Sequence, residues 1–221
     1  MHTEIFSINQ LEFFEKLKTN KEFLDKYGFY LFGGTGLALQ VGHRKSEDFD
    51  FMTSQNFDPN KLEEEFKEIF GECEITQIEK NTLSLSWKGV LVSFFGGIKH
   101  LIITENSNIE VNIYSCDDIL AMKIGVLFSR SILKDYFDLS YFLKYEGYTV
   151  AKLIELFRQK YPEKVRDYSI QLILKYLTYI NDVSVQNLEI LKYTDFWLKP
   201  DLKTNIQKVL QQSVNNYFLQ S

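Results

Sequence analysis

Polar and apolar positions alternate along much of the first half of this chain and recur with helical spacing along the second. Thr82-Leu83-Ser84-Leu85-Ser86-Trp87 alternates without a fault, which predicts a strand with one wet and one buried face. Glu74–Ile78 and Val90–Phe95 flank it as further strand-like runs, and Phe29–Phe32, Asp48–Phe51 and Ile109–Ile113 read as shorter strands or edges. Helical spacing interrupts them three times. Ser7 and Gln10 have capping-box form ahead of Leu11, Phe14 and Leu17; Leu37-Ala38-Leu39 fits a short buried helix; Asn60 with Glu63 opens an amphipathic helix reaching about Ile69. From Ser115 the helical period persists. Ser115 with Asp118 caps a helix to about Ser129, and further helices are expected at Leu133–Tyr145, Thr149–Lys160, Asp167–Ile180 and Lys203–Leu219. Phe157, Tyr168, Tyr176 and Tyr179 are expected in the core of that half. The layout is α+β: a mixed sheet with flanking helices over residues 1–115, then a helical domain over residues 116–221.

Composition changes this picture little. The chain has 221 residues, 45% hydrophobic and 25% charged, with 19 Phe and 13 Tyr, enough to bury a substantial core. No apolar run approaches the ~20 residues of a membrane helix, and Met1-His2-Thr3-Glu4 lacks the basic and apolar regions of a signal peptide. Two cysteines, Cys73 and Cys116, make neither a disulfide nor a zinc framework, so a cytoplasmic location and no membrane partner are expected. Charge adds more. Residues 1–115 carry 11 Lys+Arg against 18 Asp+Glu, and residues 116–221 carry 14 against 12. The first half should attract cations; the second permits a nucleic-acid surface without advertising one.

Candidate chemistry concentrates between Gly33 and Phe51. A glycine-rich turn, Gly33-Gly34-Thr35-Gly36, opens a short helix whose bare backbone N–H groups suit a phosphate. About a dozen residues later, Asp48-Phe49-Asp50-Phe51 points two acids to one strand face and two rings to the other. Same-face side chains on a strand sit about 6.5–7 Å apart, close enough to share one or two divalent cations. Phosphate cradle plus metal-holding acids points to phosphoryl or nucleotidyl transfer. The plainer alternative is a tight turn and a half-exposed strand with solvated acids, but the density of unusual features favours the first. In the intervening loop Arg44 could hold a phosphate in bidentate fashion, Lys45 reads as solvated, and His43 reads as a structural residue or a phosphate contact.

The helix expected at 116–129 is apolar almost all round, with Ile119, Leu120, Met122, Ile124, Val126, Leu127 and Phe128, which makes Lys123 conspicuous. Asp135 and Asp138 lie three apart on the next helix. Two readings stay open: an inter-helix ion pair such as Lys123 with Asp138, or Lys123 reaching a nucleotide phosphate with Asp135 at the metal or nucleophile.

At these residues the sequence resembles the AbiEii/AbiGii-type toxin nucleotidyltransferases of bacterial abortive-infection systems, within the DNA polymerase β-like superfamily. The family pattern Gly-Gly-Thr-x-Leu-x-Leu, then Gly-His-Arg-x-Ser-x-Asp-Phe-Asp-Phe, is matched by Gly33 through Phe51, and a later motif by Lys123, Arg130 and Lys134-Asp135-Tyr136-Phe137-Asp138-Leu139. The resemblance implies a helical domain completing the nucleotide cleft. It implies Mg²⁺ or Mn²⁺ on Asp48 and Asp50, catalytic roles for Lys123 and Asp135, and nucleotide contacts from Gly33, Gly34, Thr35, Arg44, Ser46, Arg130 and Lys134. It further implies transfer of an NMP from an NTP to a hydroxyl acceptor such as RNA or tRNA, and a cognate antitoxin as partner. A third carboxylate, often found on a later strand in the superfamily, is replaced here by Ser93, with Glu110 only a weak substitute. That departure leaves open a second reading, a nucleotide-binding module of the same fold with little or no turnover.

Overall fold

The computed structural model describes residues 1–98, 110–130, 132–183 and 202–220. The alternating runs of the first half pair into one five-stranded mixed sheet made of β1 (Tyr30–Phe32), β2 (Asp48–Met52), β3 (Glu74–Glu79), β4 (Thr82–Trp87) and β5 (Val90–Phe95). Their order is β1-β2-β5-β4-β3. β2 and β5 run parallel, and the other neighbours are antiparallel. Ile113 adds one parallel bridge to Leu31 at the outer edge of β1; Ile109 lies outside the described residues.

One face of this sheet is dry. Leu31, Phe49, Phe51, Leu83, Leu85, Val92 and Phe94 are buried. They form a single core with Phe13, Phe14, Phe23, Phe66 and Phe70 from the helices α1 (Ile8–Thr19), α2 (Lys21–Tyr27) and α4 (Pro59–Phe70). Aromatic rings dominate the packing. Phe94 stacks on Phe51 at 5.2 Å and 16°, and meets Phe23, Phe29 and Phe66 at steeper angles. The other face carries Phe32, Asp48, Asp50, Ser93 and Ser84 at intermediate burial, with Leu91 exposed. A third short helix, α3 (Gly33–Val41), starts directly from the end of β1.

Among the described residues, those up to Ser115 form one compact unit and those from Cys116 onward a second. The second unit is helical: α5 (Cys116–Val126) packs on α7 (Val150–Lys160), and α6 (Leu133–Tyr145) on α9 (Leu202–Gln220), with α8 (Ile170–Thr178) also against α9. The layout is α+β, as expected. No described helix is long and apolar enough to cross a membrane.

Several local expectations are revised. Of the expected α1 stripe, Phe14 and Leu17 are buried, but Leu11 is 40% exposed, and Gln10 and Phe13 complete the buried face. The bulky ring of Phe13 takes the inward position beside Phe14, which rotates Leu11 toward solvent. Helix α2, unforeseen, is seven residues closed by Gly28 in the left-handed conformation (φ 62°). Helix α4 is capped by Asp58, whose Oδ1 accepts from Asn60 N at 3.0 Å, two residues earlier than the Asn60–Glu63 signature suggested. Tyr179 is half-exposed rather than core.

Two consequences can be measured. Phe94 is central to the aromatic core, so Phe94→Ala should cost about 3–5 kcal/mol in urea unfolding. In the second unit Lys160 Nζ donates to Asp118 Oδ1 at 2.6 Å, both side chains being fully buried. Burial holds the Lys160 ammonium below its ordinary value, with Asp118 only partly offsetting it. Lys160→Met alone leaves a buried carboxylate without its cation and should cost about 3–5 kcal/mol, while the double variant Asp118→Leu/Lys160→Met should recover most of that loss in the same assay.

Candidate active site

The first unit brings the sequence-predicted glycines and acids together. Asp48 and Asp50 share the half-buried face of β2 while Phe49 and Phe51 enter the core. Asp50 is the register partner of Phe32, the last residue of β1, and so lies beside the start of α3. Gly33 holds φ 71°, and a Cβ built there would stand 3.3 Å from Asp50 Oδ2. The backbone angle calls for glycine at Gly33, and a Cβ there would also press on the carboxylate.

Helix α3 begins without a side-chain cap, since its N-cap residue is Phe32. The first-turn amides of a helix have no intrahelical acceptor, and the aligned peptide dipoles add partial positive charge there. Thr35, by contrast, spends its hydroxyl inside the protein. Its Oγ1 donates to the carbonyl of Asp48, and Ser46 Oγ lies 2.6 Å away, so Ser46 is the donor in that second bond. Thr35 and Ser46 are both buried. Together they tie the first turn of α3 to the start of β2. Gln10 extends the tie: its Nε2 donates to Ser46 O at 2.8 Å from the buried face of α1. Sequence reasoning placed Gln10 in the capping box, which is present, but missed its second bond to Ser46.

Arg44 and His43 are buried, whereas Lys45 is exposed. Arg44 Nη1 donates to Lys45 O at 2.9 Å. Across the sheet, the residue of β5 beside Asp50 is Ser93, whose hydroxyl accepts from Ser84 Oγ at 3.1 Å. Glu110 is turned to Lys18 at 2.8 Å on the surface. Among the described residues no cluster of three His, Cys, Asp or Glu side chains forms. Two hard carboxylate oxygens on one face, beside uncapped amides, nonetheless suit a hard divalent cation that also holds phosphate.

In the second unit, Lys123 Nζ lies 2.7 Å from Asp135 Oδ1 and 2.7 Å from Asp138 Oδ2, all three side chains being buried. Arg130, half-exposed, approaches Asp135 Oδ2 at 3.4 Å. Two cations thus face two carboxylates between α5 and α6. The ion pair considered from sequence is present, and Asp135 belongs to it as well as Asp138. Lys134 is half-buried at the start of α6. Burial pushes the Cys116 thiol up to about 12, with Asp117 adding to the effect. It is a neutral thiol at physiological pH and offers no nucleophile.

The family model described as nucleotidyl transferase AbiEii toxin, type IV TA system, matches residues 17–89 and 90–212. The chain belongs to this family of toxin nucleotidyltransferases. The uncharacterized protein aq_aa25 of Aquifex aeolicus is 31% identical over 158 residues, covering 70% of this chain and 74% of its own. A crystal structure from H. pylori, described as a nucleotidyltransferase, shares the fold at a TM-score of 0.50 and 19% identity, over 94% of this chain and 98% of that one. JHP933 from Helicobacter pylori superimposes at a TM-score of 0.48 with 19% identity, over 98% of this chain and all of its own.

The buried charge cluster carries a prediction of its own. Lys123→Ala leaves two carboxylates in the interior of the second unit and should lower stability by about 3–5 kcal/mol in chemical denaturation. An activity assay of this variant therefore needs a denaturation curve beside it.

Proposed function

We propose that this nucleotidyltransferase moves an NMP from an NTP onto a hydroxyl group of RNA, tRNA being the first acceptor to test, with release of pyrophosphate. The observation that carries this reading is the meeting of Asp48 and Asp50 with the uncapped start of α3 at Gly33. The amides of Gly34 and Thr35, together with Gly33, hold the triphosphate. Asp48 and Asp50 hold Mg²⁺ or Mn²⁺, which supplies charge neutralisation for the phosphates and the reacting oxygens. The acceptor oxygen attacks the α-phosphorus in line, its bond to phosphorus forms as the bond to pyrophosphate breaks, and the acceptor proton passes to solvent. Ser46 acts through Thr35 by fixing the turn against β2.

For the second unit the roles rest on the motif: Lys123 stabilises phosphate charge, Asp135 is the second acid required for turnover, and Arg130 and Lys134 assist nucleotide binding. Family membership supports a toxin held in check by a cognate antitoxin, and the weak positive balance of residues 116–221 is compatible with an RNA acceptor.

Incubation of the protein with each labelled NTP, divalent cation and total tRNA should give labelled RNA and pyrophosphate. Asp48→Asn and Asp50→Asn should each lower the rate by about a hundredfold or more while keeping the wild-type melting temperature. Equal silence of wild type and both variants across all NTPs and RNA acceptors would sink the proposal.

A further inference from the structure

The two glycines of the turn serve different purposes, and the second points to Arg44. Gly33 needs its left-handed backbone angle, but Gly34 does not lie in that region. What Gly34 needs is space. A Cβ built on it would collide with the guanidinium of Arg44: Nη2 is nearest, Cζ would be 3.1 Å away and Nη1 3.4 Å. All three nearest atoms belong to that one group, and the Arg44 side chain is only 1% exposed. A planar guanidinium is thus seated against the backbone of the first turn of α3, and its Nη1 donates to the carbonyl of Lys45.

We infer that Arg44 is the positioning residue of the phosphate turn, and that residue 34 is glycine to admit it. The inference rests on the reading that the start of α3 binds the triphosphate, and it adds how that turn is shaped and charged. Arg44 keeps its charge at any physiological pH, and a flat, rigid group can lie against a glycine where a lysine chain cannot fill the same slot. Its charge adds to the positive end of the helix that the ligand meets. Thr35 and Ser46 fix the turn to β2 by hydrogen bonds, and Arg44 packs against it at Gly34.

A double-mutant cycle tests both halves. Melting temperatures of the free protein are measured for wild type, Gly34→Ala, Arg44→Ala and Gly34→Ala/Arg44→Ala. Seating requires that Gly34→Ala be destabilising when Arg44 is present and nearly silent when it is absent. Additive losses would show that Gly34 serves something other than Arg44 and would overturn the inference. The same four proteins, with Arg44→Lys, are then titrated with a magnesium NTP and assayed for turnover. Arg44→Ala and Arg44→Lys should weaken NTP binding and raise KM by roughly tenfold with a smaller change in kcat. NTP affinity within twofold of wild type in Arg44→Ala would overturn the positioning role. If wild-type protein binds no NTP, the proposed function fails and the positioning role with it, while the melting-temperature cycle still decides the seating.

Discussion

The side-chain alternation of β2 constrains everything else in the first unit. Phe49 and Phe51 must enter the aromatic core, where Phe13 and Phe94 receive them at 5.0 and 5.2 Å. A strand has a period of two, so that requirement leaves Asp48 and Asp50 on the opposite face. A slip of one residue would bury both acids and expose both rings. Each buried ring is worth a few kcal/mol and each buried carboxylate costs several. The acids therefore owe their place to the core beneath them, and the parallel pairing with β5 holds the strand from within the sheet rather than at its edge.

The second requirement is that the start of α3 stay beside that strand. Hydrophobic contact does not fix a polar turn to a polar strand face, so hydrogen bonds do it. Thr35 reaches the backbone of Asp48, Ser46 reaches Thr35, and Gln10 reaches Ser46 from a helix in the core. Buried polar groups linked in this way are fully committed, since losing one leaves the next without its partner. Amides and carboxylates held before any ligand arrives are what catalysis by electrostatic stabilisation needs.

Much of this was legible in the sequence. The alternation of Thr82–Trp87 and Asp48–Phe51, the capping signal at Ser7 and the helical spacing over Thr149–Lys160 gave those strands and helices nearly to the residue. The glycine turn and the two acids were legible as a group because they lie within 19 residues of one another. What escaped depended on neighbours distant in sequence or on packing. Spacing alone points Leu11 inward, and the burial of Gln10 and Phe13 shows only once the helix is packed. Asp118 reads as a capping residue, and its bond to Lys160, 42 residues away, is visible only in the fold. Arg44 reads as a basic loop residue open to phosphate, and only the fold reveals the guanidinium against Gly34.

Helix α5 shows the same logic applied to charge. Being apolar almost all round, it has no hydrophobic preference for one rotation over another among its neighbours. Asp118 and Lys123 are five residues apart, hence about 140° apart around the helix axis. One meets Lys160 on α7; the other meets Asp135 and Asp138 on α6. Any other rotation of α5 would leave at least one of these charges buried without its counter-ion, which is far costlier than repacking leucines and isoleucines. The buried pairs thus add little to stability relative to apolar residues of the same size, but they select a single orientation for the helix that carries Lys123. A motif lysine on an otherwise featureless apolar helix has its position defined by its charge.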